Sequence, residues 1–229
     1  MKAIIEMQIK YEENIQINET DALIIVDIQN DFIPGGALAV NEGDLIIDNI
    51  NELAQKFKDS KAIIVLTQDW HPKNHLSFAS NHKGKIPGDE YTSKNGAIGP
   101  VLWSDHCVQG TNGAKFHKDL NKQLANRIIQ KGIRRKVDSY SGFRDNDKKT
   151  ETGLRKYLNS KKVKRIFICG LALDYCCYYT AMDGLEFGYE VFFMDRLTRG
   201  VDLPEGNVNN ALSNMKKSGI KFADIDSFR

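Results

Sequence analysis

Residues 22–27 read ALIIVD, a run of apolar side chains that ends abruptly at the carboxylate of Asp27. Short apolar runs rich in β-branched residues are typical of strands that are buried on both faces of a parallel sheet. Similar runs recur along the chain at residues 62–66, 127–130, 165–169 and 191–194. The recurrence predicts several neighbouring strands of one parallel sheet.

Segments with helical spacing lie between these runs. Apolar residues from Leu45 to Phe57 are spaced by three and four positions, which places them on one face of a helix with Asp44 as its predicted N-cap. Further helices are predicted over 151–159, 175–187 and 205–218. Strands that alternate with helices predict an α/β fold, a single-domain, doubly wound and mostly parallel β-sheet flanked by helices.

The composition predicts one folded domain without a charged partner. Of 229 residues, 41% are apolar and 27% are charged, which is an ordinary balance for a globular domain. Residues 1–20 are polar and mixed in charge, so they are interpreted as an N-terminal extension to a domain at 21–229. The 32 basic and 30 acidic side chains nearly cancel, so a nucleic-acid partner is not expected.

The cysteines and the hydropathy pattern favour an intracellular compartment. The four cysteines are too few and too unevenly placed for a disulfide scaffold, so thiols in a reducing compartment are expected. No segment has the ~18 consecutive apolar residues of a membrane span, and charge interrupts the start of the chain before a signal peptide forms. The expected location is the cytoplasm, with the nucleus as the alternative, and a homo-oligomer stays open.

Polar residues follow the predicted strands at the carboxyl-terminal edge of the sheet, where doubly wound folds bind ligands. Asp27 follows the first run, and Asp69 follows the second. Lys131 follows the third run, and the fourth leads through Asp174 to Cys176. An acid, a base and a thiol are therefore expected to face one crevice.

Cys176 is the candidate nucleophile. If Asp174 caps the following helix, the thiol lies in its first turn, where the helix dipole favours the thiolate, and Lys131 lowers the pKa of the thiol further. The alternative is a small buried apolar side chain. That role is expected of the other cysteines, Cys107, Cys169 and Cys177.

Asp27 is the candidate proton-transfer group. Because it follows an apolar run with no local cation, its carboxyl group needs a buried partner or has a raised pKa. The alternative for Asp27 is a cap on Asn30 or another loop amide, and the alternative for Lys131 is a solvated surface cation.

Asp69, His71 and His106 are candidate metal ligands. One carboxylate and two imidazoles suit a borderline divalent ion such as zinc, and iron and manganese accept the same set. The spacing alone is equally compatible with an aspartate that orients a histidine. His75 is a candidate for a further ligand or a supporting group.

At several blocks the sequence resembles one family, the nicotinamidases within the isochorismatase-like cysteine hydrolases. The blocks occur in the family's order and cover about 21–205. They are VDIQNDF at 26–32, DWHP at 69–72, NHLSF at 74–78, LW at 102–103, HCVQGT at 106–111, KG at 131–132, YSGF at 140–143, GLA at 170–172 and DYC at 174–176.

The resemblance implies an activity and a set of roles. The implied enzyme is an amidohydrolase that converts nicotinamide to nicotinate and ammonia through a thioester, a reaction of NAD salvage. Asp27 is the implied proton acceptor, Lys131 is the cation beside it and Cys176 is the nucleophile. The implied ligands of one divalent metal ion, which binds the pyridine nitrogen directly or through water, are Asp69, His71 and His106.

The resemblance also implies which residues surround the substrate. Phe32, Trp103 and Tyr140 match positions that line the ring pocket. The backbone N–H groups of Ala172 and Cys176 match the oxyanion hole. The small, uncharged nicotinamide is then the expected partner, and it needs no charged surface to attract it.

The sequence departs from the family's pattern near the nucleophile and before the third metal ligand. Leu173 and Cys177 stand where Thr and Val are usual, and the family's cis peptide is expected at the Ala172–Leu173 bond. Asp105 lies in place of a usual proline, and it is expected to bring negative charge close to the metal.

Two other functions stay open at this point. An amidase of the same superfamily that acts on a carbamoyl or ureido compound would keep Asp27, Lys131 and Cys176 without needing the metal ligands. A non-catalytic ligand-binding member would share only the fold. A dinucleotide-dependent dehydrogenase is not expected, because no G-x-G-x-x-G follows the first strand.

Overall fold

A computed structural model describes residues 9–229. Its centre is a six-stranded sheet in the order β3-β2-β1-β4-β5-β6, and every neighbouring pair is parallel. The strands are β1 Asp21–Val26, β2 Ile63–Asp69, β3 Arg127–Lys131, β4 Arg165–Leu171, β5 Glu190–Arg199 and β6 Lys221–Phe222. The prediction of a doubly wound parallel sheet is confirmed, and β6 is an addition that the sequence pattern did not predict.

Helices cover both faces of the sheet. They are α1 Ile47–Asp59, α2 Leu154–Ser160, α3 Tyr178–Glu186 and α4 Asn207–Lys217. Side chains of β1 alternate between the faces, so that Leu23 and Ile25 pack with α1 in one buried cluster. Ala22 and Ile24 belong to the cluster on the other face. Among the described residues, no helix is long and apolar enough to cross a membrane.

Two local predictions about these elements are wrong. Asp44 is not the N-cap of α1, because Ile46 occupies that position and residues 41–46 form turns in which the Asp44 carbonyl accepts the Ile47 N–H. The run at β3 is not buried on both faces, because β3 is an edge strand and Ile128 is 44% exposed.

The N-terminal extension is described only from residue 9 onward. Residues 1–8 of the predicted extension lie outside the described residues. Tyr11 forms a bridge with Phe222, and Ile15 forms one with Phe228, so this part of the chain packs beside the C-terminal segment. The division into 1–20 and 21–229 stays a prediction.

The strand order reverses between β1 and β4, and this switch point lies where ligands bind in such sheets. The two strands approach closely where Val26 is the register partner of Gly170. A Cβ atom built on Gly170 would lie 2.1 Å from the Val26 carbonyl oxygen, and the φ of Gly170 is +113°. Only glycine permits this contact at the carboxyl end of both strands.

Candidate active site

Lys131 lies at the centre of a buried charged cluster at the carboxyl ends of β1, β2 and β3. Its Nζ is 2.8 Å from Asp27 Oδ2 and 3.3 Å from Cys176 Sγ, and it forms a short ion pair with Asp69 Oδ1. It also donates to the Ser139 carbonyl oxygen at 3.0 Å. The sheet register produces this arrangement, since Asp69 of β2 is the direct partner of Lys131 in β3. Lys131 is therefore a buried cation and not a solvated surface lysine.

Asp27 is fully buried and holds its proton more tightly than an ordinary aspartate. Thr67 Oγ1 donates to Asp27 Oδ1 at 2.6 Å. Asp27 Oδ2 faces Lys131 but accepts no directed hydrogen bond from the described residues. Burial raises the pKa of Asp27, and Lys131 opposes this only in part. The alternative of a cap on Asn30 is wrong, because the Asn30 N–H donates to the Lys115 carbonyl.

The Cys176 thiol lies within reach of that carboxylate. Its Sγ and one oxygen from each of Asp27 and Asp69 all lie within 4.8 Å of one another. Burial raises the pKa of the Cys176 thiol well above its usual range, although Lys131 lowers it. The expected low pKa is therefore wrong, and a thiolate has to form by proton transfer to a neighbouring base.

The local structure explains this correction. Residues Leu173–Cys177 form a π-helical turn that precedes α3, so Cys176 is not in the first turn of an α-helix. Asp174 makes no cap hydrogen bond, because its carboxylate accepts the N–H groups of Val201 and Asp202. The remaining cysteines are free and fully buried, which fits small apolar side chains, at positions Cys107, Cys169 and Cys177.

Asp69, His71 and His106 converge on one point beside the cluster. The Nε2 atoms of His71 and His106 are 3.5 and 3.9 Å from Asp69 Oδ2. The Nδ1 atoms donate to the carbonyl oxygens of Gly132 and Ser104 at 2.9 and 2.8 Å. Because a carbonyl oxygen only accepts, each Nδ1 carries a hydrogen, and in the neutral ring Nε2 has a lone pair that can bind a metal ion. This donor set fits a divalent metal ion.

The electrostatics of the three residues also suit a cation. Burial by itself would raise the pKa of Asp69, but Lys131 and His71 hold it well below its usual range. Burial and the neighbouring His71 lower the pKa of His106 to about 4, so its imidazole is neutral at pH 7. Burial lowers the pKa of His71, but the Asp69 carboxylate outweighs it and the net direction is upward. A positive charge between His71 and Asp69 is thus favoured.

Several supporting residues escaped the sequence analysis. Gln29 forms two hydrogen bonds with the backbone of Asp69. Its Nε2 donates to the Asp69 carbonyl and its Oε1 accepts the Asp69 N–H, each at 2.8 Å. Thr67 fixes Asp27, as described above. The signal for both is weak, because neutral side chains reveal their partners only after the strands are paired.

The residues Asp69, His71 and His106 are here called the metal group, and two further residues, His75 and Asp105, were predicted to lie close to it. The ring of His75 packs at a tilt of 37° against the ring of His71, with centroids 4.5 Å apart, and its Nδ1 is hydrogen-bonded to Ser77 Oγ at 2.6 Å, so His75 supports the His71 ring. Asp105 is exposed and accepts a hydrogen bond from Ser80, so its carboxylate is engaged at the surface and not turned to the metal group.

Phe32, Trp103 and Tyr140 line one cavity together with Cys176 and the metal group. Trp103 Nε1 donates to the Tyr140 hydroxyl at 3.1 Å, and that hydroxyl donates to the Gly99 carbonyl at 3.0 Å. Since these polar atoms are satisfied within the protein, the rings offer their apolar surfaces to a planar ligand. The same cavity is closed by residues that sequence reasoning missed, Leu38, Tyr175 and Val201.

Ala172 lies beside Cys176 at the cavity. The cis peptide is Leu171–Ala172, so its expected position at Ala172–Leu173 is wrong by one residue. The Ala172 carbonyl accepts the Cys177 N–H at 3.0 Å. The oxyanion-hole role of the Ala172 and Cys176 N–H groups stays a prediction.

Comparison with known proteins extends the resemblance from these motifs to most of the chain. The isochorismatase domain family matches residues 21–227. The chain belongs to the isochorismatase family. Within that family, the nicotinamidase of Acinetobacter baylyi is 44% identical over 200 residues, which are 87% of this chain and 90% of the relative. The resemblance to nicotinamidases stated from the motifs is confirmed.

Two solved structures of isochorismatase-family relatives share this fold. PnC1 from L. infantum in complex with nicotinate has a TM-score of 0.80 and 34% identity, covering 94% of this chain and 98% of its own. The pyrazinamidase of Pyrococcus horikoshii in complex with zinc has a TM-score of 0.72 and 40% identity, covering 90% and 99%.

Proposed function

We propose that this protein is a nicotinamidase that hydrolyses nicotinamide to nicotinate and ammonia, with Cys176 as the nucleophile. The observation that carries the proposal is that Cys176, whose sulfur contacts the Lys131–Asp27 ion pair, lines one cavity together with the metal group and the aromatic rings. The activity of the Acinetobacter baylyi relative supports the choice of substrate.

The catalytic cycle begins with proton transfer from the Cys176 thiol to Asp27. The resulting thiolate attacks the carboxamide carbon, and the backbone N–H groups of Ala172 and Cys176 hold the oxyanion. Asp27 then returns its proton to the departing ammonia, which leaves a thioester on Cys176. Water that gives its proton to Asp27 hydrolyses the thioester, and nicotinate and the free thiol result.

Lys131 stabilises the negatively charged groups that take part in this proton transfer. Without a cation, the neighbouring carboxylates of Asp27 and Asp69 would repel each other and the thiolate would be unfavourable in a buried site. The charge of Lys131 stabilises the Cys176 thiolate, whose sulfur lies 3.3 Å from Nζ, and it favours the ionised form of Asp27 that accepts the thiol proton.

The pyridine ring lies against Phe32, Trp103 and Tyr140 in this proposal. Asp69, His71 and His106 would hold one divalent ion, zinc by preference, with iron and manganese also compatible. Such an ion would act as a Lewis acid with an open coordination site for the pyridine nitrogen. The zinc complex of the Pyrococcus horikoshii relative supports this choice.

The cellular setting follows from the thiols. The described cysteines are free and buried, which suits a reducing compartment, and the cytoplasm is the proposed location with the nucleus also compatible. A homo-oligomer is compatible with the fold.

An ammonia-release assay on a small carboxamide panel tests the function. We expect turnover of nicotinamide and much slower turnover of benzamide, which has the same shape but lacks the ring nitrogen. N-carbamoyl amino acids represent the ureido alternative. Turnover of those compounds without turnover of nicotinamide would contradict the proposal.

Removal of the metal group is expected to reduce turnover and metal content together. His106→Ala removes one of three ligands, so we expect loss of stoichiometric metal and a fall in kcat/KM of at least about 100-fold. Metal content is measured by elemental analysis, and activity is measured before and after chelation and zinc addition. The matched control is His117→Ala, which changes a partly buried histidine that contacts Asp119 and does not belong to the metal group. Full activity of metal-free enzyme would exclude a role for the ion.

A further inference from the structure

One wall of the substrate cavity comes from the segment between β5 and α4. Residues 200–206, here called the wall loop, place Val201 in the lining of the cavity. The side chains of Val201 and Leu203 pack against the buried core clusters. The backbone of the loop is held in addition by polar contacts with neighbouring elements.

Asp174 provides most of those contacts. Its carboxylate is 2% exposed, and Oδ1 accepts the Val201 N–H at 2.9 Å. Oδ2 accepts the Asp202 N–H and the Asn207 Nδ2–H, each at 3.0 Å. Three donors from the wall loop and the start of α4 thus converge on one side chain.

The fit around this carboxylate is tight. A Cβ atom added to Gly200 would lie 3.2 Å from Asp174 Oδ1 and 2.3 Å from Val208 Cγ2. Tyr175, which follows Asp174 in the chain, donates its hydroxyl hydrogen to the Leu203 carbonyl. The turn that carries Cys176 is therefore tied to the wall loop at two consecutive positions.

We propose that Asp174 is a positioning residue that holds the wall loop closed over Cys176 and thereby limits the size of the carboxamide that reaches the thiol. Asp174 does not line the cavity and touches neither Lys131 nor the metal group. It acts through Val201, whose backbone it binds. The favoured substrates are accordingly small, unsubstituted planar ring amides. This inference rests on the proposed function for the substrate, but the closed wall acts on any molecule that approaches Cys176.

The test compares alkylation of Cys176 by a small and a bulky reagent in Asp174→Asn. An amide has one acceptor oxygen, so at least one of the three donors loses its partner and the wall loop opens. We expect the rate ratio of N-phenylmaleimide to iodoacetamide at Cys176, read by peptide mass spectrometry, to rise about tenfold.

The matched control is Asp21→Asn. Asp21 is also fully buried and accepts hydrogen bonds from the Asn18 N–H and from Arg165. It lies at the amino-terminal end of β1, whereas the site lies at the carboxyl-terminal ends of the strands. The Asp21→Asn variant should have a lower free energy of unfolding, and the ratio of the two alkylation rates at Cys176 should not change. An unchanged ratio in Asp174→Asn, or an equal change in Asp21→Asn, would overturn the inference.

Kinetics on nicotinamide separate this inference from the proposed function. In Asp174→Asn we expect KM to rise about tenfold while kcat changes less than about threefold, since the reacting groups stay in place. For ring-substituted nicotinamides, kcat/KM should fall less in Asp174→Asn than it does for nicotinamide itself. If the wild-type enzyme fails to hydrolyse nicotinamide, the proposed function fails, and the alkylation ratio still decides the role of Asp174.

Discussion

Cys176→Ala is expected to abolish nicotinamide hydrolysis, with a fall in kcat of at least about 10⁴-fold. No other described thiol approaches the Lys131 cluster in the same way, because Cys176 Sγ alone is hydrogen-bonded to Lys131 Nζ. Without the sulfur, no thioester forms and the remaining groups supply only weak activation of water. Ammonia release under saturating substrate measures the loss.

The matched control is Cys177→Ala, which removes the neighbouring buried thiol. This variant should keep most of its turnover. Acid quenching of the wild-type enzyme during turnover should also trap a nicotinoyl adduct on the peptide that contains residue 176. Equal rates in Cys176→Ala and wild type, or an adduct on another residue, would exclude Cys176 as the nucleophile.

Lys131→Met is expected to impair both folding stability and catalysis. Lys131 is fully buried between two carboxylates, and removal of one partner from a buried ion pair costs about 3–5 kcal/mol of the free energy of unfolding. Urea unfolding of the variant and the wild type measures this difference. The exposed Lys136→Met is the control and should change stability little.

The catalytic effect of Lys131→Met has a defined pH signature. Burial raises the pKa of Asp27 and Lys131 lowers it, so loss of Lys131 raises that pKa further. At neutral pH more of Asp27 is then protonated and unable to accept the thiol proton, and kcat/KM should fall at least about 100-fold. The acid limb of the pH profile should shift to higher pH. An unshifted limb would show that Lys131 does not control the Asp27 charge.

The charged half of the site could be predicted from the sequence because of sheet geometry. Asp27, Asp69 and Lys131 each follow an apolar run, and parallel strands bring their carboxyl ends to one edge. The residue types alone suggested Asp69, His71 and His106 as metal ligands but left an aspartate that orients a histidine as an equal alternative. The ring pocket needed the resemblance to a family, since the segment 71–122 has little periodic pattern.

The errors came from treating side chains as locally engaged. Asp174 was expected to cap its own helix, but its partners lie about 27 residues away in the wall loop. Gln29 and Thr67 went unnoticed because their hydrogen bonds cross from one strand to another. Strand β6 has only two residues and therefore no run to detect.

The close approach of Gly170 to Val26 has a consequence for how this site can evolve. Strand β1, which Asp27 follows, and strand β4, which leads to Cys176, are in direct backbone contact there. This contact fixes the distance between the ends of the two strands from which the chain continues to the proton acceptor and to the sulfur. A single methyl group at position 170, outside the substrate cavity, would clash with the Val26 backbone and push the two strands apart. Position 170 therefore constrains the geometry of the site although it does not line the cavity.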